Sequence, residues 1–180
     1  RENSLNYAKN NYETFLSNLE SFIRIPSIST SSENVVWVRS AANFVEQLLN
    51  SIGVADTKIL ETNGHPVVYG HYKTDTPNAP TVLVYGHYDV QPPDPLDLWE
   101  TPPFEPSRRD DYLFGRGSSD MKGQIIASLS AVESILKSGD VPVNIKFIYE
   151  GEEEIGSPNL PAFLEKYAKL LESDVVLNPD

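Results

Sequence analysis

Apolar residues at Leu5, Ala8, Tyr12, Phe15, Leu19 and Phe22 recur at three- and four-residue intervals until Pro26 interrupts them. This spacing predicts an amphipathic helix over residues 3–24, stopped by a residue that cannot continue it. A second stripe follows at Trp37, Ala41, Phe44, Leu48 and Ile52, with Thr30 and Glu33 as a candidate capping box and Gly53 as the C-terminal stop. Strand signals then take over. "TKIL", "PVVYG" and "TVLVYG" are short β-rich runs separated by polar, glycine and proline residues. The pentapeptide "VYGHY" closes the second and third of these runs, at residues 68–72 and 84–88, so each strand ends on a histidine. A repeat this short does not establish a duplicated domain.

From Thr81 onward the pattern predicts a strand (81–86), a proline-rich loop with a small hairpin (88–117), a helix (122–138), a strand (143–149), a helix (159–172) and a strand (174–178). The first of these helices carries Ile125, Leu129, Val132 and Leu136 on one face and ends at Gly139. The second carries Leu160, Phe163, Tyr167 and Leu170, with Pro161 in its first turn. The alternation β-α-β-α-β predicts an α/β fold, a mostly parallel twisted sheet with right-handed crossovers and helices on both faces. In open sheets of this kind ligands gather beyond the carboxyl ends of the strands.

That rule selects the candidate chemistry. His87 and Asp89 follow "TVLVYG"; Glu150, Glu152, Glu153 and Glu154 follow "VNIKFIY"; Asp180 follows "DVVL"; and the loop "GRGSSDMKG" delivers Asp120 just before a helix. One imidazole and several carboxylates at one sheet edge form a ligand set for one or two divalent metals such as zinc. Burying so many like charges without a cation would be costly. Residues i and i+2 of an extended segment point the same way, so Asp89 can orient the imidazole of His87 and fix its tautomer. His71 is followed two residues later by Lys73, a cation that opposes metal binding. His71 and His65 therefore read as exposed or hydrogen-bonded residues at strand ends. Glu150 and Glu152 read as solvated loop carboxylates or as supports behind the ligands. Asp174 competes with Asp180 but sits at the opening of its strand, the wrong end.

Composition narrows the partners. The 180-residue chain has a net charge of −12, which argues against nucleic acid and anionic membrane, both themselves polyanions. There is no cysteine, so a metal must rely on His, Asp and Glu. No apolar run reaches the length of a membrane span, and "RENSLNYAKN" has neither the basic nor the apolar region of a signal peptide. The expected setting is cytoplasmic. Trp99 and Phe104 read as anchors of the proline-rich loop, Gly115 and Gly117 as tight backbone positions in a segment without a P-loop pattern, and Arg116 as a partner for a nearby carboxylate.

Three segments carry a more specific signal. "VLVYGHYDVQPPDPLDLWETPPFEP", "LFGRGSSDMKGQ" and "EGEEEIGS", in this order, resemble the signatures of the co-catalytic zinc peptidases and amidohydrolases that include carnosinase-like dipeptidases, carboxypeptidase G, DapE and ArgE. The similarity spans residues 67–180. It implies a zinc-exopeptidase-like fold and two divalent ions, zinc with manganese or cobalt as substitutes. It also implies that His87 and Asp180 bind one metal, Glu154 the other, and Asp120 bridges them. Asp89 would orient His87, and Glu153 would be the general base that takes a proton from a water bridging the two ions. The implied reaction is amide hydrolysis of dipeptides or short peptides, with N-acyl amino acids as the rival substrate and a non-catalytic metal-binding module as the rival class. Carnosinase-like dipeptidases carry a second Asp directly after the bridging one, whereas this chain has Met121, closer to the DapE, ArgE and carboxypeptidase G pattern. Family members are about twice this length. The expectation is that residues 1–180 are the N-terminal portion of a catalytic domain, without the dimerisation domain or the last histidine ligand, and with little activity alone. The complete protein would then be a homodimer.

Overall fold

In the computed structural model, which describes residues 2–139 and 141–180, the first apolar stripe forms two helices, α1 (Glu2–Asn10) and α2 (Tyr12–Ile23). The predicted single helix breaks at Asn11, whose side-chain Nδ2 donates to the Tyr7 carbonyl at 2.9 Å. An asparagine that bonds its own backbone competes with the helical ladder. The next stripe forms α3 (Val35–Ile52) behind a 3-10 turn at Ser32–Asn34. Its cap is Ser31 rather than Thr30: Ser31 Oγ accepts the Glu33 N–H at 3.3 Å, because the turn begins one residue later than the capping-box spacing implied.

Gly53 ends α3 in the left-handed region, φ +102, and its N–H donates to the Asn50 carbonyl at 3.1 Å. A Cβ there would meet nothing within 4 Å. The cost of Gly53→Ala is therefore backbone strain alone, about 1–2 kcal/mol. A chemical denaturation curve with an unchanged slope and a lower midpoint is the expected readout.

The main sheet contains β1 (Asp56–Leu60), β2 (Val67–Tyr72), β3 (Thr81–His87), β6 (Asn144–Glu150) and β7 (Val175–Leu177), in the order β1-β2-β6-β3-β7. Two short strands, β4 (Ser107–Arg109) and β5 (Tyr112–Phe114), form the separate hairpin expected in the loop. α4 (Lys122–Leu136) links β3 to β6 through that loop, and α5 (Leu160–Lys166) with α6 (Ala168–Leu171) links β6 to β7. The predicted helix at 159–172 thus bends at Tyr167. Backbone bonds from Tyr167 to Phe163 and from Leu171 to Tyr167, both 3.0 Å, carry the chain through the bend.

Strands β6, β3 and β7 are parallel neighbours, as the alternation predicts, while β2 runs antiparallel to both β1 and β6. The sheet is therefore mixed. Only six residues separate β1 from β2, too few for a helical crossover, so the chain must reverse. Residue alternation sends each strand's side chains to two cores. Val68, Val84, Ile145, Phe147 and Tyr149 pack with residues of α3 and α4, including Val45, Leu49, Ile125 and Leu129. On the opposite face Val67, Tyr69, Leu83 and Ile148 meet Phe163 and Leu171 from α5 and α6. Helices on both faces are thus required by strands that are apolar on both sides. Among the described residues, no helix is long and apolar enough to cross a membrane.

This topology separates the twin pentapeptides. β6 lies between them, and its Tyr149 is in register with Val68 of the first copy and Gly86 of the second. The start of one copy is thus level with the middle of the other and the two run in opposite directions, so His71 is level with Leu83, toward the opposite edge of the sheet from His87.

Candidate metal centre

The carboxyl ends of β3 and β6 and the segment after β7 share one edge, and His87, Glu150 and Asp180 lie there. His87 is fully buried. Its backbone N–H donates to Met121 Sδ at 3.1 Å, which ties the strand end to the turn before α4. Its Nδ1 faces Asp89, 3.1 Å from the carbonyl and 3.4 Å from Oδ1. Nε2 faces the other way, 3.1 Å from Asp120 Oδ1 and 3.8 Å from both Glu153 Oε2 and Asp180 Oδ2. One ring nitrogen is held by Asp89 and the other is turned toward carboxylates, the division anticipated from "HYD". Burial would lower the His87 pKa, but the hydrogen bond and charge of Asp89, with the charge of Glu153, raise it to about 9.

Asp89, also fully buried, contacts more than the imidazole. Its Oδ1 accepts the Glu153 N–H at 3.3 Å and its Oδ2 the Glu154 N–H at 3.1 Å. Glu153 and Glu154 open a 3-10 turn, Glu153–Ile155, that follows β6 after two residues. The same carboxylate therefore fixes the histidine and the backbone of the acidic pair.

His87, Asp120 and Glu154 each offer one donor atom within 4.8 Å of the others. Asp180 joins through its approach to His87, whereas Asp174 lies at the far end of β3, where its Oδ2 accepts the Thr81 N–H at 2.7 Å. That places Asp174 roughly 20 Å along the strand from His87. His71 is out of the group: it pairs across the sheet with Asp56 and Lys146, and burial followed by Lys146 lowers its pKa. His65 reaches the same edge as His87 by its backbone, donating N–H to Glu152 Oε1 at 3.0 Å.

Glu150 and Glu152 are supports and not solvated carboxylates, at 3% and 5% exposure. Glu150 Oε1 accepts from Tyr85 Oη at 2.7 Å and Ser157 Oγ at 2.9 Å; burial nonetheless raises its pKa. Glu152 accepts from Asn159 Nδ2 at 2.9 Å as well as from His65. Both therefore brace the turn that presents Glu153 and Glu154. Arg116 has a carbonyl partner where a carboxylate was expected: it donates to the Pro92 carbonyl at 3.1 Å and lies over the Trp99 ring at 5.5 Å. Trp99 anchors the same loop through the Pro93 carbonyl, 2.7 Å away. Gly117 adopts φ +84 beside Val90, whose Cγ1 would lie 2.7 Å from an added Cβ, so tight backbone geometry accounts for it.

Two contacts escaped the pattern. Lys122, fully buried, donates to the Phe22 and Ile25 carbonyls at 3.0 and 2.6 Å, joining the Asp120 loop to the end of α2. Gln91 donates to the Glu154 carboxylate at 2.7 Å. For Gln91 a signal existed, because the alternation that aligns His87 with Asp89 continues to residue 91. For Lys122 none did, since nothing local marks that lysine as buried.

A profile of peptidase family M20/M25/M40 matches residues 83–178. The chain is 36% identical over 170 residues to the Cys-Gly metallodipeptidase DUG1 of Candida albicans, covering 86% of this chain and 35% of that protein. With the human Beta-Ala-His dipeptidase it shares 45% identity over 102 residues, 56% of this chain and 20% of that protein. The crystal structure of human carnosine dipeptidase 1 superposes with a TM-score of 0.92 at 30% identity, over 99% of this chain and 41% of the other. The chain thus spans about a third of the length of the Candida relative, less than the half that was expected. The matched segment runs from β3 to β7 and includes His87, Asp120 and Glu154, and over more than half of its length the chain belongs to peptidase family M20/M25/M40.

Proposed function

We propose that this chain carries the cation-binding edge of a metal-dependent dipeptidase. The observation that supports it is the surroundings of His87 Nε2: Asp120, Glu153 and Asp180 converge on one nitrogen, and Glu154 is grouped with it. Among the described residues no lysine or arginine pairs with these carboxylates within 4 Å, so a divalent cation is the partner that fits the charge. A set of imidazole and carboxylate donors suits zinc, and manganese or cobalt as well. The dipeptidase names of the relatives favour a dipeptide as substrate.

In this reading His87, Asp180, Asp120 and Glu154 would hold the cations, His87 with Asp180 one of them and Glu154 the other, with Asp120 contributing to the same site. Cations held there would supply polarisation of the scissile carbonyl and a lower pKa for a nearby water. Glu153 takes the proton of the attacking water and returns it to the leaving amine. Asp89 keeps Nδ1 of His87 occupied, so that Nε2 remains the donor, and holds the backbone of the acidic turn. Met121, standing where carnosinase-like dipeptidases have a second aspartate, favours N-acyl amino acids as the second reading of the substrate. Relative turnover of a dipeptide and an N-acetyl amino acid by the complete protein separates the two.

The cation assignment is tested by titrating the purified chain with Zn²⁺ against a competing chelator. The wild-type chain is expected to bind zinc, and His87→Gln to weaken binding by at least roughly tenfold. Equal zinc binding by both would remove His87 from the site and the proposal with it.

A further inference from the structure

Gln91 stands outside the set of titratable residues, yet it makes a direct contact with one of them. Its Nε2 lies 2.7 Å from Glu154 Oε2 and 3.3 Å from the Glu154 carbonyl. Both neighbours are acceptors, so the amide nitrogen, and not its oxygen, faces them. The amide therefore ties the carboxylate of Glu154 to the backbone of the same residue, which restricts its side-chain torsions. Among the described residues no hydrogen bond reaches the other carboxylate oxygen, Oε1.

The backbone that carries Gln91 is itself held on both sides. The Val90 N–H donates to the Ser27 carbonyl at 3.0 Å, and Val90 is fully buried. The Pro92 and Pro93 carbonyls are held by Arg116 and by Trp99 Nε1. An exposed glutamine with a free backbone would gain little from a surface hydrogen bond, because it would lose rotamer freedom to make it. Here the main chain is already ordered, and the donor is delivered to one carboxylate oxygen.

We infer that Gln91 is a positioning residue for cation binding: it occupies Oε2 of Glu154 and leaves Oε1 free to face the cation shared with Asp120. This rests on the reading of Glu154 as a cation ligand. A neutral amide suits the task, because it orients the carboxylate without neutralising it as a lysine or arginine would. Groups that orient a metal ligand typically contribute ten- to hundredfold in affinity, and an exposed one belongs at the lower end.

The test is a Zn²⁺ titration of the purified chain carrying Gln91→Met, Gln91→Asn, Glu154→Gln, or Gln91→Met with Glu154→Gln. Gln91→Met keeps the length and apolar stem but removes the donor; Gln91→Asn keeps the amide but withdraws it by one methylene. Each is expected to weaken zinc binding roughly tenfold, Glu154→Gln to weaken it further, and the double variant to bind no worse than Glu154→Gln alone. Melting temperatures close to wild type are expected for the Gln91 variants, because the side chain is exposed. Wild-type zinc binding by both Gln91 variants, with Glu154→Gln impaired, overturns the positioning role and leaves the cation site standing. Additive losses in the double variant also overturn it, since Gln91 would then act elsewhere. Wild-type binding by Glu154→Gln removes the ligand reading and the Gln91 assignment together.

Discussion

Replacing Glu153 with alanine is expected to lower kcat for dipeptide hydrolysis by the complete protein by roughly two to four orders of magnitude while leaving zinc binding close to wild type. The expectation comes from two neighbouring carboxylates with different surroundings. Glu154 shares a 4.8 Å donor group with His87 and Asp120 and is tied by Gln91, and burial followed by its acidic neighbours raises its pKa against the lowering influence of Gln91. Glu153 lies outside that group and is partly open to solvent; it stands 3.8 Å from His87 Nε2, as Asp180 does, so retention of zinc by Glu153→Ala is what distinguishes a base from a ligand. A carboxylate that lies beside the proposed cation site without filling it is placed to move a proton. Because such transfer occurs in the transition state, KM should change much less than kcat. Glu153→Gln, which preserves volume, should behave in the same way. Turnover within tenfold of wild type would sink the assignment. Loss of zinc in step with loss of turnover would instead make Glu153 a ligand.

The second large effect is expected at Asp89. Asp89→Ala removes a fully buried carboxylate that faces His87 Nδ1 and accepts the N–H groups of Glu153 and Glu154. Leaving these part-buried donors without acceptors falls at the lower end of about 1–3 kcal/mol for each group. A combined loss of about 3 kcal/mol in folding stability is therefore expected, read by denaturant unfolding. Zinc affinity should fall by roughly ten- to hundredfold, because the imidazole and the acidic turn lose their common support. Asp89→Asn keeps an acceptor oxygen but directs an NH₂ group at a backbone donor, so it should recover only part of either quantity. A variant that is as stable as wild type and binds zinc as tightly would show that Asp89 neither orients His87 nor secures the turn.

Much of the site was legible because its signals are local. The strand ending at His87 follows from its β-branched run, and the direction shared by His87 and Asp89 follows from a period of two. The positions of Asp120, Glu153 and Glu154 relative to helices and strands follow from glycine, proline and the apolar stripes. Their convergence follows from the general rule for parallel strands joined by helices. Gln91 obeys the same alternation, but an amide does not titrate and carries no local sign of a cation site. The burial of Glu150 and Glu152 was not legible, since four acids within five residues look the same in a solvated loop as in a braced turn. Their burial depends on Tyr85, Ser157, Asn159 and the backbone of His65, partners that come from other segments or from farther along the same loop.

The amino-acid sequence by itself determined which segments become helices and strands, which faces are apolar, and which acidic residues follow a strand's carboxyl end. Hydrophobic periodicity is a property of neighbouring residues, so folding does not alter it. Only the tertiary structure decided that β6 enters between β2 and β3, and that β2 runs against its neighbours. The cost of closing a loop changes slowly with its length, so a strand's partner is chosen by packing on both sheet faces and not by proximity along the chain. That choice separates two identical pentapeptides. It leaves His71 beside Lys146 at one edge, and at the other it brings His87 to within 3.1 Å of Asp120.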